Sequence, residues 1–266
     1  MPETLLSQGK LHFERQGAGP PLLLIHGFPF DHRMWQSQLA ELRTSFDVIA
    51  PDLRGFGDSP LHSGEFSEEP SLLNYAHELI ELLDALHIKE QITLCGLSMG
   101  GYIAWDFCEV ALHRLERLII CSSKASADPK EVVENRHQVA ERVMEIGPHF
   151  LIEGMLPKVL GKTSLQSRPS VKELTEAMIM KSSPLGIATA QRAMAARVDR
   201  EDFLPQIAIP TLLVSGEEDP LTPPELMKKM TGKLPNSELK TISSAGHLAP
   251  MECPGEFNQI VKAFLQ

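Results

Sequence analysis

Short apolar runs recur along the chain, and each ends in a small residue or in turn chemistry. The runs that share this pattern are residues 22–26, 46–50, 92–97, 118–121 and 212–215. Continuous apolar runs of this length are typical of strands that are buried on both faces of a sheet. Residues 10–15 alternate instead, which predicts an outer antiparallel strand, and residues 238–242 are predicted to form the last strand.

Helical periodicity fills the gaps between these runs. The apolar residues that fall on one face of the first such segment are Leu72, Ala76, Leu79, Ile80, Leu83 and Leu86. Ser71 stands immediately before them as the N-cap. Residues 100–110 follow the run 92–97 directly, while residues 224–230 and 254–265 both begin with proline, which favours a first helical turn. Strands that alternate with helices predict an α/β fold with a mainly parallel sheet covered on both faces.

One segment interrupts this alternation. Between residues 125 and 194 amphipathic helical patterns dominate, and we find no convincing strand pattern. The sheet resumes at Thr211, after an Ile-Pro pair that marks the entry to a strand. We therefore predict a core made of residues 1–124 and 195–266, with residues 125–194 as a helical insertion.

A candidate nucleophile stands between a predicted strand and a predicted helix. Residues 96–100, Gly-Leu-Ser-Met-Gly, match the pattern Gly-x-Ser-x-Gly and are followed at once by the helical pattern. This strand–turn–helix setting is that of a nucleophile elbow. The turn strains the backbone of the serine, and only small neighbours avoid a clash there. We therefore predict Ser98 as a nucleophile rather than as a serine of an ordinary turn.

A serine hydroxyl attacks efficiently only when a base removes its proton. Among the ten histidines, His247 lies after the last predicted strand and before the helix 254–265. This position is at the carboxyl edge of the sheet, where open α/β sheets bind their ligands. We predict His247 as the base. Seven other histidines are expected to be solvated, and these are His12, His62, His77, His87, His113, His137 and His149.

The acid that orients the base should follow a strand between Ser98 and His247. Residues 212–215 form such a strand pattern, and the sequence Gly-Glu-Glu-Asp-Pro comes directly after it. We choose Asp219 over the two glutamates because it ends the turn against the proline. The loop after the earlier strand 118–121 offers no carboxylate before Asp128. The resulting chain order of serine, aspartate and histidine is the one that nucleophile elbows of this kind use.

Two backbone N–H groups are candidates for an oxyanion hole. The N–H of Met99 follows the nucleophile, and the N–H of Phe28 lies at the end of the first central strand. Donors held in place before the reaction stabilise the negative charge that develops on a carbonyl oxygen. Gly27 allows the backbone to bend toward the substrate, and we interpret His26 as a structural residue of this loop.

Charge and composition exclude several classes of function. The net charge is −10 and no run of Lys and Arg occurs, so we expect no nucleic-acid partner. No stretch is apolar over the length of a membrane helix, and the first thirteen residues lack the apolar core of a secretion signal. None of the four cysteines has zinc-ligand spacing, and buried free thiols suit a reducing compartment. We expect a cytoplasmic protein with no membrane partner.

Five segments together resemble the α/β-hydrolase superfamily: residues 26–28, 51–59, 96–101, 215–219 and 245–247. The resemblance implies a mostly parallel eight-stranded sheet flanked by helices, with residues 125–194 as a helical cap over the site. The chain is most similar to the group of 3-oxoadipate enol-lactonases, small carboxylesterases and haloperoxidase-like perhydrolases. In relatives the second segment is a structural loop, so Asp52 and Arg54 are assigned to folding. Dehalogenases and epoxide hydrolases carry aspartate where this chain has Ser98, which disfavours those activities.

The residues that select the substrate are the least readable part of the sequence. Phe30, Trp35 and Leu248 flank the predicted site loops, and Met155 lies in the insertion, so we predict these four as pocket residues. The chain has only two Trp and two Tyr, which argues against a carbohydrate platform. Two arginines, Arg33 and Arg192, are weighed as anchors for a carboxylate and assigned to the surface instead.

The residues above predict a serine hydrolase for a small ester or lactone. The chemistry needs only side chains and water, so we expect no cofactor and no metal. Two alternatives stay open at this point. One is a carbon–carbon bond hydrolase or perhydrolase with the same three residues, and the other is a ligand-binding homologue without catalysis. The sequence does not indicate an oligomeric state.

Overall fold

The computed structural model describes residues 2–62 and 69–266. The strands are, in chain order, β1 (Glu3–Leu6), β2 (Gly9–Gln16), β3 (Pro21–Ile25), β4 (Asp47–Pro51), β5 (Ile92–Leu97), β6 (Leu115–Cys121), β7 (Thr211–Gly216) and β8 (Ser237–Ile242). They form one eight-stranded sheet in the spatial order β1-β2-β4-β3-β5-β6-β7-β8. The pairs β1–β2 and β2–β4 are antiparallel, and all other neighbours are parallel. The predicted mostly parallel eight-stranded sheet is confirmed.

The central strands are buried along their whole length. Every residue of β3, β4, β5 and β7 is buried, which is why the sequence shows continuous apolar runs rather than alternation there. Three of the four cysteines, Cys95, Cys108 and Cys121, are free thiols in this core. Burial of apolar surface contributes roughly 25 cal/mol per Å², so these strands dominate the stability of the sheet.

The edge of the sheet contains one strand that the sequence analysis did not predict. Residues 10–15, predicted as an outer antiparallel strand, lie in β2, which pairs antiparallel on both sides. Outside it β1 adds one more strand, in a hairpin whose closing pair is Leu6 and Gly9. The four residues of β1 are too short and too exposed to give a periodic signal. Gly9 has a φ of 101°, a left-handed value that glycine adopts without strain in the hairpin turn.

Helices cover the sheet. Their bounds are α1 (Gln36–Leu42), α2 (Leu72–Ala85), α3 (Met99–Ala111), α4 (Lys130–Ile146), α5 (Phe150–Val159), α6 (Lys162–Ser167), α7 (Pro169–Lys181), α8 (Pro184–Ala195), α9 (Pro224–Thr231), α10 (Ala249–Glu252) and α11 (Pro254–Leu265). Helix α2 packs on α3, and α1 packs on α11. Ser71 caps α2 as predicted, since its hydroxyl accepts the Leu73 N–H at 3.2 Å. None of the described helices combines the length and apolar character that a bilayer-spanning helix needs.

Five consecutive helices, α4 to α8, separate β6 from β7 within the fully described segment 122–210. Helix α4 packs along α8, while α5 and α6 both contact α7. Helix α8 of the insertion packs closely against the loop that follows β4. A Cβ placed on Gly186 of this helix would lie only 2.1 Å from the carbonyl oxygen of Gly55. The helical content of the segment matches the sequence interpretation, and its division from the core at residues 125 and 194 stays a prediction.

The parallel strands bring distant loops to one edge of the sheet. Strands β3, β5 and β7 run in the same direction, so the residues that follow them lie at the same edge. Phe28 follows β3, Ser98 follows β5 and Asp219 follows β7, while His247 comes after β8. The fold therefore gathers the predicted site residues above the carboxyl ends of the strands.

Candidate active site

Ser98 occupies a strained turn between β5 and α3. Its φ is 55° and its ψ is −111°, which places a residue with a side chain in a left-handed region. The turn is fixed by a hydrogen bond of 2.9 Å from the Ser98 N–H to the Cys121 carbonyl oxygen. A Cβ on Gly96 would lie 2.3 Å from the Gly100 carbonyl oxygen, and a Cβ on Gly100 would lie 2.4 Å from that of Ile25. Both flanking glycines are therefore required for the turn to pack. Strain of this kind costs about 1–3 kcal/mol and is concentrated at functional sites.

His247 and Asp219 form a buried hydrogen-bonded pair. The His247 Nδ1 lies 2.8 Å from Asp219 Oδ2. The Thr222 hydroxyl donates to the same oxygen at 2.6 Å, and the N–H groups of Leu221 and Thr222 donate to Oδ1 at 2.9 and 3.0 Å. The carboxylate is thus held at both oxygens, and its orientation toward the imidazole is fixed.

The charge state of Asp219 follows from these contacts. Burial alone would raise the pKa of this carboxyl. The charge and hydrogen bond of His247, together with the Thr222 donors, outweigh burial and lower the pKa to about 2. Asp219 is therefore ionised at neutral pH and accepts a hydrogen bond from the Nδ1–H group of His247. The other ring nitrogen, Nε2, is then the one left with a lone pair.

A cavity of about 540 Å³ joins the nucleophile and the histidine. Ser98 and His247 both line it, and so do Phe28 and the predicted pocket residue Met155. Among residues 2–62 and 69–266, no hydrogen bond joins the Ser98 hydroxyl to the His247 ring. In hydrolases the contact between nucleophile and base commonly tightens only when substrate binds. The structure brings Ser98 and His247 to one cavity, and the buried Asp219 contacts His247 from outside the cavity wall.

The loop that carries Phe28 lies against the nucleophile. A Cβ on Gly27 would lie 3.4 Å from the Ser98 Cβ and 2.8 Å from the side chain of Leu97, so only glycine allows this approach. Within the described chain, the N–H groups of Phe28 and Met99 have no hydrogen-bond acceptor in the protein. Met99 is also the first residue of α3, where the helix dipole favours negative charge.

Comparison with known proteins identifies the family. A family profile described as "alpha/beta hydrolase fold" matches residues 20–254, which is most of the chain. The chain belongs to the α/β-hydrolase family. It is 28% identical to 3-oxoadipate enol-lactonase 1 of Acinetobacter baylyi over 93% of this chain and 89% of that protein. Among solved structures, a thermophilic esterase from Thermogutta terrifontis with malate bound is 40% identical, with a TM-score of 0.94 over 99% of this chain and 97% of the other.

A lactonase of known structure is similar over the same length. The enol-lactonase from Burkholderia xenovorans LB400 is 25% identical to this α/β-hydrolase, with a TM-score of 0.90 and 99% of each chain covered. Relatives named as esterases and as enol-lactonases therefore share the whole chain, insertion included. The resemblance found from the sequence motifs is confirmed at the level of the family.

Sequence reasoning missed a carboxylate that holds the loop of the histidine in this α/β-hydrolase. One oxygen of Glu252 accepts the N–H groups of Gly246 and Leu248, which flank His247, at 2.9 and 3.1 Å. The other oxygen accepts the Gly161 N–H from the insertion at 2.8 Å. Glu252 therefore ties the N–H groups of both residues next to the histidine to the insertion. Its position in a short buried helix after a proline gave no recognisable signal in the sequence.

His26 has no nitrogen left for proton transfer. Its Nδ1 donates to the Gly27 carbonyl oxygen at 2.9 Å, and its Nε2 accepts the Leu53 N–H at 2.9 Å. Burial lowers the pKa of His26, which keeps the ring neutral. This geometry agrees with the structural role inferred from the sequence.

A second cluster of histidine and aspartate supports the loop after β4. Asp52 accepts the Nδ1 atoms of His12 and His32, both at 2.8 Å, and the N–H groups of His32 and Asp58 at 2.7 and 2.8 Å. These three side chains are close enough to ligate a metal ion. Both imidazoles, however, direct Nδ1–H groups at the carboxylate, so a cation would first have to displace these bonds. We therefore assign the cluster to the fold, as the sequence indicated for Asp52.

One histidine was assigned wrongly from the sequence. His12 was expected to be solvated, but it is buried beneath the loop that carries Asp52 and Ser59. The alternation of its strand suggested an exposed face, and tertiary packing covers that face. The other six histidines of that group, from His62 to His149, are exposed as expected. Arg54, also assigned to the fold, is fully buried and pairs with Glu78.

Three of the predicted pocket residues lie elsewhere. Phe30, Trp35 and Leu248 are fully buried, and none of them is among the residues that line the cavity. Trp35 packs against Phe257 with ring centroids 6.2 Å apart. The Leu248 N–H donates a hydrogen bond of 3.2 Å to the Val159 carbonyl oxygen. The structure therefore brings only Met155 of the four to the cavity, because the other three side chains turn into the core.

Proposed function

We propose that this α/β-hydrolase is a serine hydrolase that cleaves a carboxylic ester or a lactone of a small substrate through an acyl-enzyme on Ser98. The observation that carries the proposal is the position of Ser98. It stands at a strained elbow and lines the same cavity as His247. The Nδ1 atom of His247 is hydrogen-bonded to the ionised Asp219, which leaves Nε2 for proton transfer. Relatives named as esterase and enol-lactonase support the choice of substrate class.

The first half of the proposed reaction forms the acyl-enzyme. The Ser98 oxygen bonds to the substrate carbonyl carbon while its proton moves to His247 Nε2. The tetrahedral intermediate then collapses, the bond to the leaving oxygen breaks, and His247 returns the proton to that alkoxide. With a lactone the leaving alkoxide remains attached to the acyl group. Asp219 stabilises the imidazolium throughout and stays ionised, as its lowered pKa requires.

The second half releases the acid. A water molecule attacks the acyl carbon and gives a proton to His247 Nε2. The bond from the acyl carbon to the Ser98 oxygen breaks, and the proton passes back to that oxygen. The serine and the imidazole are thereby restored to their starting protonation states.

The N–H groups of Phe28 and Met99 are proposed to hold the oxyanion in both halves. Neither N–H has a hydrogen-bond acceptor in the described chain, so both can bind an oxyanion. Gly27 lets the Phe28 loop approach Ser98. Loss of one such donor typically costs about 2.7–4 kcal/mol of transition-state stabilisation. The volume of the cavity, about 540 Å³, suits a small molecule rather than a polymer.

The test is covalent labelling together with turnover. A fluorophosphonate should modify Ser98 alone, and Ser98→Ala should abolish both labelling and hydrolysis of p-nitrophenyl acetate. Ser45→Ala, which alters an exposed serine far along the chain, is the matched control and should keep both. Labelling of another residue, or turnover retained by Ser98→Ala, would overturn the proposal.

The same assay separates the two alternatives. A carbon–carbon hydrolase or perhydrolase would label at Ser98 but turn over vinylogous diketones, or transfer acyl groups to peroxide, faster than it hydrolyses simple esters. A ligand-binding homologue would show no turnover across a panel of short esters and lactones. Either result would replace the ester or lactone assignment.

A further inference from the structure

The wall of the cavity has a charge opposite to that of the whole protein. The chain carries a net charge of −10. The charged residues of the cavity wall are four cations and one carboxylate, namely Lys124, Arg136, Arg142, Lys158 and Asp128. A concave surface that concentrates positive charge attracts anionic ligands and raises their local concentration.

The inner part of this charge is a cluster around Asp128. The carboxylate is 1% exposed and contacts Lys124 Nζ at 2.9 Å, Arg136 Nε at 2.7 Å and Arg197 Nη2 at 2.8 Å. Burial raises the pKa of Asp128, but the charges of Arg136 and Arg197 outweigh it and keep the pKa below its ordinary value. One ionised carboxylate therefore faces three cations, and positive charge remains beside the cavity.

Packing holds the cluster in place. The Arg197 guanidinium stacks over the ring of Tyr102 at 4.1 Å, and Tyr102 lines the cavity. Arg136 also donates to the side-chain oxygen of Gln191 at 3.1 Å. Uncompensated charge at a poorly solvated site is costly unless an anion completes the arrangement. The cluster is thus a fixed source of positive potential rather than a set of mobile surface cations.

The outer part consists of Arg142 on α4 and Lys158 on α5. Both are exposed, both line the cavity, and neither has an ion-pair partner among the described residues. The Arg142 guanidinium lies 4.6 Å from the centroid of the Phe150 ring, which orients it at the cavity wall. Several exposed cations elsewhere on the insertion are paired, for example Lys172 with Glu176. The two cations of the outer part are therefore free to bind a ligand.

The inner and outer cations belong to one continuous wall. Arg136 and Arg142 are six residues apart on α4, which places them about 9 Å apart along the helix axis. Val139 lies between them on the same face and also lines the cavity, as does Met155 on α5. A ligand along this wall would meet an apolar strip with positive charge at both of its ends.

We propose that the substrate of Ser98 carries a carboxylate, and that Arg142 and Lys158 bind this group while the cluster around Asp128 supplies a supporting positive potential. This inference rests on the proposed function, because it assigns a chemical class to the ester or lactone cleaved there. A carboxylate matches the donors of Arg and Lys, which form charge-assisted hydrogen bonds with it. Arg142 and Lys158 are accordingly specificity residues that lie outside the reacting groups.

The test compares esters that differ only in charge. One pair places the charge in the acyl part: the p-nitrophenyl half-ester of glutaric acid against its uncharged isostere, p-nitrophenyl 5-methylhexanoate. The second pair places it in the leaving group: 4-carboxyphenyl acetate against 4-methylphenyl acetate, with rates corrected for the pKa of the leaving phenol. We expect the anionic member of at least one pair to have about a tenfold higher kcat/KM, and the advantage to shrink with salt.

Variants locate the preference. Arg142→Gln combined with Lys158→Gln should remove most of the anionic advantage by raising KM for the charged ester. Both side chains are exposed, so the double variant is expected to fold, which its circular dichroism and melting curve will show. Lys229→Gln removes one exposed cation of α9 outside the cavity wall and is the matched control, which should keep the advantage.

Failure of this inference is distinct from failure of the proposed function. If all four esters are inert, and a panel of short lactones is inert as well, the ester and lactone assignment itself fails. If the esters are hydrolysed but neither anionic member is preferred, the hydrolase assignment stands and the carboxylate proposal is overturned. It is also overturned if the double variant slows the charged and uncharged esters by the same factor.

Discussion

Two aspartates in this molecule, Asp219 and Asp52, contact histidine rings with almost the same local geometry. The Nδ1 of His247 lies 2.8 Å from Asp219, and those of His12 and His32 lie at the same distance from Asp52. Both carboxyls are buried, and in both the hydrogen bonds and charge of histidine hold the pKa below its ordinary value. A short contact between histidine and aspartate is therefore not by itself a sign of catalysis.

The difference lies in what the second ring nitrogen meets. His247 lines the cavity that also contains Ser98, and its Nε2 is the nitrogen that the proposed mechanism uses to accept the Ser98 proton. The Nε2 of His12 is buried and, within the described residues, has no hydrogen-bond partner. Asp52 also accepts two backbone N–H groups, from His32 and Asp58, and so joins three segments of chain. One arrangement presents a base to a cavity, and the other closes a loop.

Substitution of asparagine for each aspartate should give the largest difference between the two sites, because one variant should lose activity and the other stability. Asp219→Asn should lower kcat/KM for p-nitrophenyl esters by about 10³–10⁴, because the amide no longer holds the Nδ1–H tautomer of His247. Steady-state kinetics of the purified variant, with its melting temperature as the control for folding, will measure this loss. A loss below tenfold in a folded variant would remove Asp219 from the proposed mechanism.

Asp52→Asn should act on stability instead of rate. An amide offers one acceptor to four donors, so buried N–H groups lose their partner, and the expected loss is about 3–5 kcal/mol in the free energy of unfolding at pH 7. Urea unfolding measures the loss, and the fraction that remains folded should keep a normal rate per active site in fluorophosphonate titration. A normal stability with a reduced rate would place Asp52 in the chemistry and break the contrast.

The stability difference should depend on pH in a defined direction. Because the pKa of Asp52 in the folded protein lies below the ordinary value of 3.8, the ionised carboxylate stabilises the fold fully at pH values well above 3.8. As the pH falls below that value, the unfolded chain takes up the proton first and the stabilisation declines. Unfolding curves at pH 5, 4 and 3 should therefore show the gap between wild type and Asp52→Asn narrowing toward acid. This range lies below the titration of His32, whose pKa the hydrogen bond and charge of Asp52 raise against the effect of burial.

The positions of Ser98, Asp219 and His247 at one edge of the sheet could be predicted from the sequence, whereas the burial of His12 could not. The glycines around Ser98 and the position of Asp219 after a strand are local signals, because turn geometry and chain direction dictate them. The burial of His12 is not local, since it depends on the loop of Asp52 folding over an apparently exposed strand face. For the same reason, the sequence shows Arg142 as one surface cation among many. Its place on the cavity wall becomes visible only in the folded structure, where α4 packs along α8.

Glu252 extends the contrast to the backbone and is expected to give the smallest effect. Asp219 holds the ring of His247, whereas Glu252 accepts the N–H groups of the residues on either side of it and the Gly161 N–H of the insertion. Glutamine in its place has only one acceptor oxygen. Either the N–H groups of Gly246 and Leu248 or the N–H of Gly161 would then face an NH₂ group and lose their acceptor. We expect Glu252→Gln to lower kcat about tenfold with KM nearly unchanged, because hydrogen bonds to a charged acceptor contribute about 1.5–3 kcal/mol.

A structural role alone would lower the stability of Glu252→Gln and leave kcat per folded molecule unaltered. The decisive measurement is therefore kcat normalised to the active sites titrated by fluorophosphonate, together with its pH profile. Glu256→Gln, which neutralises an exposed glutamate of α11 four residues away, is the matched control. If both variants give the wild-type kcat per active site, the orientation of His247 depends on its contact with Asp219 and not on the backbone that Glu252 holds.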